Sequence, residues 1–248
     1  MEKLLENIIM LNIWKKKNFI KILEEINVDN SKILDYKWGS HISVLESIVE
    51  VFNITGVLEL GIGKYSTQML YNKVEKLISV EIDEEWVKTI SSYVRPREGF
   101  KLIHHNLGIH HKTKYPQITD EIKKISLDFY KDIVGKNPEL NFLFIDHVSG
   151  LRVITLINLF SNFDIIVYHD AQHPGYYYNL FDSIDYSDYF HFIHELPLIH
   201  SGILIHKKYE DLLENFNNTL KEKGLLFCEK FGIEYVHILN KKLNNEVN

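Results

Sequence analysis

The sequence predicts an α/β protein built on a doubly wound, mainly parallel sheet of seven strands, and three observations carry that prediction. Short apolar runs recur from residue 56 onward, most are separated by amphipathic stretches, and the last two are joined by a link too short for a helix. The runs are Val57–Leu60, Leu77–Ile82, Lys101–His104, Phe142–Ile145, Ile165–Tyr168, Phe190–His194 and Ile203–His206. Continuous apolar strands alternating with helices indicate a parallel sheet covered on both faces. The final link, with Pro197 and Gly202, leaves no room for a crossover, so its two strands are expected to pair antiparallel.

Ahead of the sheet, residues 1–50 read as a helical segment. Leu4, Leu5, Ile8 and Ile9, then Phe19, Ile20, Leu23 and Ile26, recur at three-to-four spacing. His41 to Phe52 repeats the pattern behind Ser40, an expected N-cap. Residues 51–208 form the expected sheet domain and 209–248 a C-terminal extension. In that extension Tyr209 to Lys223 reads as a helix closed by Gly224 as its C′ residue. A strand-like piece follows near Tyr235–Leu239, and the polar residues from Lys241 to Asn248 read as frayed.

Composition narrows the class. Hydrophobic residues at 45% and charged residues at 25% are those of a globular chain with a sizeable core. A net charge of −6 argues against broad electrostatic affinity for nucleic acid. One cysteine, Cys228, excludes an internal disulfide and a multi-cysteine zinc site, and fits a reducing compartment. No apolar run near the start is long enough to span a bilayer, and Glu2, Glu6 and Lys15-Lys16-Lys17 do not make a signal peptide, so a cytoplasmic protein without a membrane partner is expected. The lysine trio beside Trp14 reads as a solvated helix face.

The chemistry centres on Glu59-Leu60-Gly61-Ile62-Gly63-Lys64-Tyr65-Ser66. An apolar strand runs into two glycines and then a helix that Ser66 is placed to cap. Glycines there permit positive φ and close approach of a ligand, while free N–H groups of the helix start face it. About twenty residues later the second strand ends in Glu81-Ile82-Asp83, where a carboxylate can accept hydrogen bonds from ribose hydroxyls. A lone Gly-x-Gly is also a plain tight turn, and a lone Glu81 a solvated strand end; their order and spacing favour a nucleotide cofactor. Nicotinamide and S-adenosylmethionine sites share this arrangement. Glu59 would repel a pyrophosphate but help hold a cationic amino-acid ligand, and the dinucleotide fingerprint wants Gly or Ala where Ser66 stands.

On these residues the chain resembles the class I S-adenosylmethionine-dependent methyltransferases over residues 40–208. The resemblance implies strand order 3-2-1-4-5-7-6 with the last strand antiparallel. It places Glu59, Gly61, Gly63, Tyr65, Ser66, Glu81, Ile82, Asn106 and Asp146 around the cofactor. Tyr65 stands where a third glycine is common. Trp38-Gly39-Ser40-His41 ahead of a helix is similar to a small-molecule subgroup.

A second constellation sits at the ends of strands four and five, in Asp146-His147 and His169-Asp170-Ala171-Gln172-His173. Adjacent central strands deliver these carboxylates and imidazoles to one rim, where they could supply a general base or a divalent metal site. Asp146, His147, His169, Asp170 and His173 are the expected catalytic residues. The pattern is similar to metal-dependent catechol-type O-methyltransferases, which implies a metal held by Asp146 and Asp170. Ala171 replaces the third oxygen donor of that group, and a histidine in its stead would favour a transition metal over magnesium. His104-His105 and His110-His111, flanking Asn106, read as loop polarity, and Tyr176-Tyr177-Tyr178 as helix packing or a pocket wall.

The expected function is methyl transfer from S-adenosylmethionine to a small molecule bearing a hydroxyl or amine, with a divalent metal as a second candidate cofactor. The alternatives are a nicotinamide-dependent oxidoreductase and a non-catalytic interaction protein of the same fold. Methylation of nucleic acid lacks the Asn/Asp-Pro-Pro-aromatic signature. The N-terminal helices leave two roles open, closing over the pocket or forming a homodimer.

Overall fold

The computed structural model describes residues 35–36, 39–196 and 199–242. The N-terminal periodicity from Leu4 to Ile26, the lysine trio, Trp38, Pro197 and the residues after Lys242 lie outside the described residues.

Among the described residues one sheet of eight strands runs in the order β3-β2-β1-β4-β5-β7-β6-β8. The strands are β1 Val57–Leu60, β2 Leu77–Glu81, β3 Phe100–His104, β4 Phe142–Ile145, β5 Ile165–His169, β6 Tyr189–Leu196, β7 Ile199–His206 and β8 Ile238–Lys242. The first five pair in parallel. β7 lies antiparallel to β5 and to β6, as the short link requires. The expected seven strands gain an eighth, because β8 of the C-terminal segment pairs with the outer edge of β6.

Helices cover both faces, which explains why β1, β2, β4 and β5 are buried along their whole length. Alternate residues Leu58, Leu60, Leu143, Ile145, Ile166 and Tyr168 meet Tyr130 and Ile133 of α4 (Asp120–Lys136) and Val153, Leu156 and Leu159 of α5 (Arg152–Leu159). The intervening set, Val57, Phe142, Phe144, Ile165 and Val167, meets Val44, Leu45 and Ile48 of α1 (Ile42–Val51). Leu70 of α2 (Ser66–Lys73) and Phe216 and Leu220 of α6 (Leu213–Lys230) join that second layer. The side-chain period of two is thus hidden in sequence and plain in packing.

Three helix boundaries differ from expectation, the first being the start of α6 at Leu213 instead of Tyr209, behind a 3₁₀ stretch from Lys207 to Leu212. Gly224 does not end α6, which runs on to Lys230. A Cβ at Gly224 would overlap the Tyr235 ring, so the glycine makes room for a side chain rather than a turn. Nor does Ser40 cap α1; the N-cap position is His41 without a side-chain bond, and the Ser40 hydroxyl turns to β5 instead.

Candidate active site

The carboxyl ends of β1, β2, β4 and β5 form one rim of the sheet, the edge at which open α/β folds bind ligands. Gly61 follows β1 with φ of 88°, in the left-handed region that favours glycine. A Cβ there would overlap the backbone of Asp146, and one at Gly63 would lie 2.7 Å from Ser66 Oγ. Both glycines therefore answer first to the chain's own atoms, which lets the β1 turn close against the end of β4.

Glu59 lies beneath this turn, fully buried. Its carboxylate accepts from Ser79 Oγ at 2.6 Å and Thr67 Oγ1 at 3.0 Å, and Thr67 Oγ1 in turn accepts the Gly63 N–H at 3.0 Å. Burial pushes its pKa up to about 7 against the pull of these hydroxyls. Glu59, expected from sequence beside the cofactor, thus braces the turn from below. Ser66 begins α2 without capping it; the N-cap position is Tyr65, and the Ser66 hydroxyl bonds Glu59.

Glu81, at the end of β2, reaches the same turn from the side. Its Oε1 accepts from the N–H groups of Ile82 at 2.6 Å and Asp83 at 3.0 Å, and its Oε2 accepts from Ile62 N–H at 3.2 Å. A carboxylate offers about four lone-pair sites, so one on Oε2 is left for a hydroxyl. Burial raises its pKa, opposed by the three N–H groups. Trp86, which sequence reasoning passed over, donates its indole N–H to Ile62 O at 2.7 Å and pins the turn from α3 (Glu84–Ser91). Ile82 packs into a small apolar cluster with Ile118, Val148 and Leu151. Asn106 is exposed and its side chain closes a local turn onto Gly108 N–H at 2.9 Å.

The rim between β4 and β5 is built around an arginine. Arg152 is buried, and its guanidinium reaches Asp146 Oδ1 at 2.7 Å and Asp170 Oδ2 at 3.1 Å. It also donates to the carbonyls of His147 at 2.8 Å and of Asp146 and His169 at 3.3 Å each. The metal expected between Asp146 and Asp170 does not fit this geometry: the cation bridging the two carboxylates is a side chain, and Ala171 offers no further donor. Asp170 sits in the left-handed region, with φ of 58°, a conformation aspartate tolerates better than most residues.

His169 stands between two partners. Its Nδ1 lies 3.2 Å from Asp146 Oδ1 and its Nε2 lies 3.0 Å from Ser40 Oγ. Burial alone would lower its pKa, and the carboxylates of Asp146 and Asp170 outweigh that and raise it. Burial works to raise the Asp146 pKa, but His169 and Arg152 hold it below the usual carboxylate range. His41 packs edge-on against His169, its ring centroid 4.7 Å away.

The other two histidines go elsewhere. His147 leaves the rim and turns beneath α5, where Nε2 meets Thr155 Oγ1 at 3.1 Å and burial pushes its pKa down to about 3. Expected from sequence at the catalytic rim, it packs in the core beside Tyr130. His173 is exposed and its Nδ1 accepts the Gly175 N–H at 3.1 Å. It lines a half-open cavity of ≈ 460 Å³ with Tyr168, Gln172, Tyr178, His200 and Lys242, beside the end of β5. A second cavity, of ≈ 340 Å³ around Asp164 and Tyr189, opens at the opposite end of β5.

Arg152, Ser40 and His41 are the rim residues that sequence reasoning did not place. Arg152 stands six residues after Asp146, at the start of the next helix, a position where a buried cation can meet both strand ends. The described part of the N-terminal segment reaches this rim through Ser40 and His41, and Asp35 hydrogen-bonds Tyr65 of the β1 turn.

No family model matches the chain, and no curated protein matches it. Similar solved structures include an rRNA methylase from Streptococcus thermophilus, 13% identical, covering 67% of this chain and 95% of its own, with a TM-score of 0.46. A methyltransferase-like protein from Silicibacter pomeroyi is 14% identical, covers 72% and 93%, and has a TM-score of 0.41. An N-methyltransferase from Bradyrhizobium japonicum is 8% identical, covers 72% and 98%, and has a TM-score of 0.40. Among the described residues no helix is long and apolar enough to cross a membrane.

Proposed function

We propose that this chain transfers a methyl group from S-adenosylmethionine to a small molecule bearing a hydroxyl or an amine. One observation carries the reading: β7 enters the sheet antiparallel between β5 and β6, beside a parallel half whose β1 ends in the Gly61 turn and whose β2 ends in Glu81. The doubly wound nicotinamide-binding sheet keeps its sixth strand parallel, in the order 3-2-1-4-5-6.

The open lone pair on Glu81 Oε2 would take a ribose hydroxyl, and Glu59 would act through the turn it braces. S-adenosylmethionine, when bound, supplies an electrophilic methyl carbon on a sulfonium, which a deprotonated nucleophile displaces in line. The chain's part is to position the acceptor and hold its proton. His169, oriented by Asp146 and Ser40, is the rim imidazole that would hold that proton, at Nε2 in exchange for its bond to Ser40 Oγ. The cavity beside β5 is of small-molecule size and would seat the acceptor, with Tyr178 and Lys242 on its walls.

The test is methyl transfer from labelled S-adenosylmethionine to a panel of hydroxyl- and amine-bearing small molecules, run beside an RNA oligonucleotide arm. Label in a small molecule, lost on His169→Ala, supports the reading. Label in RNA alone rejects the acceptor class, and label in neither rejects the activity for that panel.

A further inference from the structure

Among the described residues, His41, Asp146 and His169 each offer one ligating atom within 4.8 Å of the other two. They arrive from the turn before α1, the end of β4 and the end of β5. Two features separate this trio from an ordinary polar cluster. His41 is buried, and among the described residues neither of its ring nitrogens has a hydrogen-bond partner. Buried polar groups are rarely left so, because each unsatisfied one costs the desolvation of that group.

The second feature is the way His169 is held. Its Nε2 is engaged by Ser40 Oγ at 3.0 Å, which leaves Nδ1 facing Asp146 Oδ1 at 3.2 Å. At zinc–ligand distances of ~2.0–2.1 Å, tetrahedral geometry sets neighbouring ligand atoms about 3.4 Å apart. The Asp146–His169 pair is close to that spacing, and a shift of the His41 ring by up to about 1.4 Å completes the set. A ligating imidazole ordinarily has its other nitrogen held by an outer partner, the place Ser40 occupies here.

We propose that His41, Asp146 and His169 bind one divalent transition-metal ion, of which zinc is the type. Two imidazole nitrogens and one carboxylate oxygen select zinc or cobalt over magnesium, which takes oxygen ligands. With neutral histidines, Asp146, Asp170 and Arg152 together carry a net charge of −1, which favours a cation beside them. This site is distinct from the Asp146–Asp170 pair, whose common space Arg152 fills. It does not depend on the methyl-transfer reading, although an ion on Nδ1 would leave Nε2 protonated and so exclude His169 as the holder of the acceptor's proton, and its test contains no S-adenosylmethionine.

The experiment is titration of chelator-stripped full-length chain with Co²⁺, read by visible absorption, followed by displacement with Zn²⁺ and a parallel titration with Mg²⁺. One Co²⁺ per chain is expected, displaced by Zn²⁺ and not by Mg²⁺. His41→Ala lowers the zinc affinity by about a hundredfold, the upper end of what loss of even an outer-shell partner costs. The double variant His110→Ala, His111→Ala, which removes two exposed neighbouring imidazoles, leaves it unchanged. X-ray absorption at the zinc edge of the unaltered chain, which needs no variant to fold, is expected to show two imidazoles among oxygen and nitrogen ligands. Absence of stoichiometric binding, binding retained in His41→Ala, or binding lost with His110 and His111 overturns the proposal.

Discussion

The Arg152 guanidinium donates to the Asp146 carboxylate at 2.7 Å from a side chain only 8% exposed, and with its bond to Asp170 Oδ2 at 3.1 Å it ties the ends of β4 and β5 together. Removing one partner of a buried ion pair leaves an uncompensated charge, at a cost of about 3–5 kcal/mol. Arg152→Met is expected to lose stability on that scale in urea unfolding. Adding Asp146→Asn to it should recover part of the loss, because one of the two stranded carboxylates is gone. Loss of less than about 1 kcal/mol in the single variant would mean the pair is solvated.

Glu59 makes a pH-dependent prediction of the opposite sense to that of a salt-bridged carboxylate. Its pKa in the folded chain, about 7, lies above the ordinary 4.5, so the protonated form is favoured by folding. Its contribution is complete below about pH 4.5 and is lost as pH rises through about 7. Glu59→Gln should therefore flatten the fall of unfolding free energy over that window and should not destabilise the chain at pH 8. A variant that keeps the wild-type slope would contradict the account.

Glu59 and Glu81 also separate by what they touch. Glu81→Ala removes both a hydroxyl acceptor at the rim and the partner of Ile62 N–H, so S-adenosylmethionine affinity should fall about tenfold or more by calorimetry. Glu59→Gln keeps the brace under the turn and should leave that affinity within about twofold. The reverse order would place Glu59 in direct contact with the ligand.

Gly61→Ala tests the turn itself. The backbone there has φ of 88°, and a Cβ would overlap the Asp146 carbonyl. Left-handed strain and overpacking together predict a loss of about 2–4 kcal/mol, read as a lowered urea midpoint with an unchanged slope.

Much of the fold was legible because parallel strands buried on both faces announce themselves as unbroken apolar runs. Phe142–Ile145 and Val57–Leu60 are read to the residue. β6 and β7 extend further than their apolar runs, because edge-side pairing tolerates Glu195 and His200. β8 was visible only as a strand-like piece, since its place beside β6 is a long-range pairing that Ile238 and Leu239 do not encode locally. Gly224 misled for the same reason: a glycine that accommodates Tyr235 looks, in sequence, like one that ends a helix.

The site was legible as a rim and not as a set of contacts. Strand ends told where Asp146, His169 and Asp170 arrive. They did not tell that Arg152 fills the space between two carboxylates, or that His147 turns down to Thr155. Ser40 looked like a cap because serine before a helix usually is one, and only the fold brings β5 within reach of its hydroxyl.

The most direct test of the central claim is isothermal titration of the purified chain with S-adenosylmethionine and, separately, with NAD(P)H. Saturable binding of one S-adenosylmethionine per chain, weakened by Glu81→Ala and without NAD(P)H binding, is the predicted result. NAD(P)H binding without S-adenosylmethionine binding, or no binding of either, would contradict it.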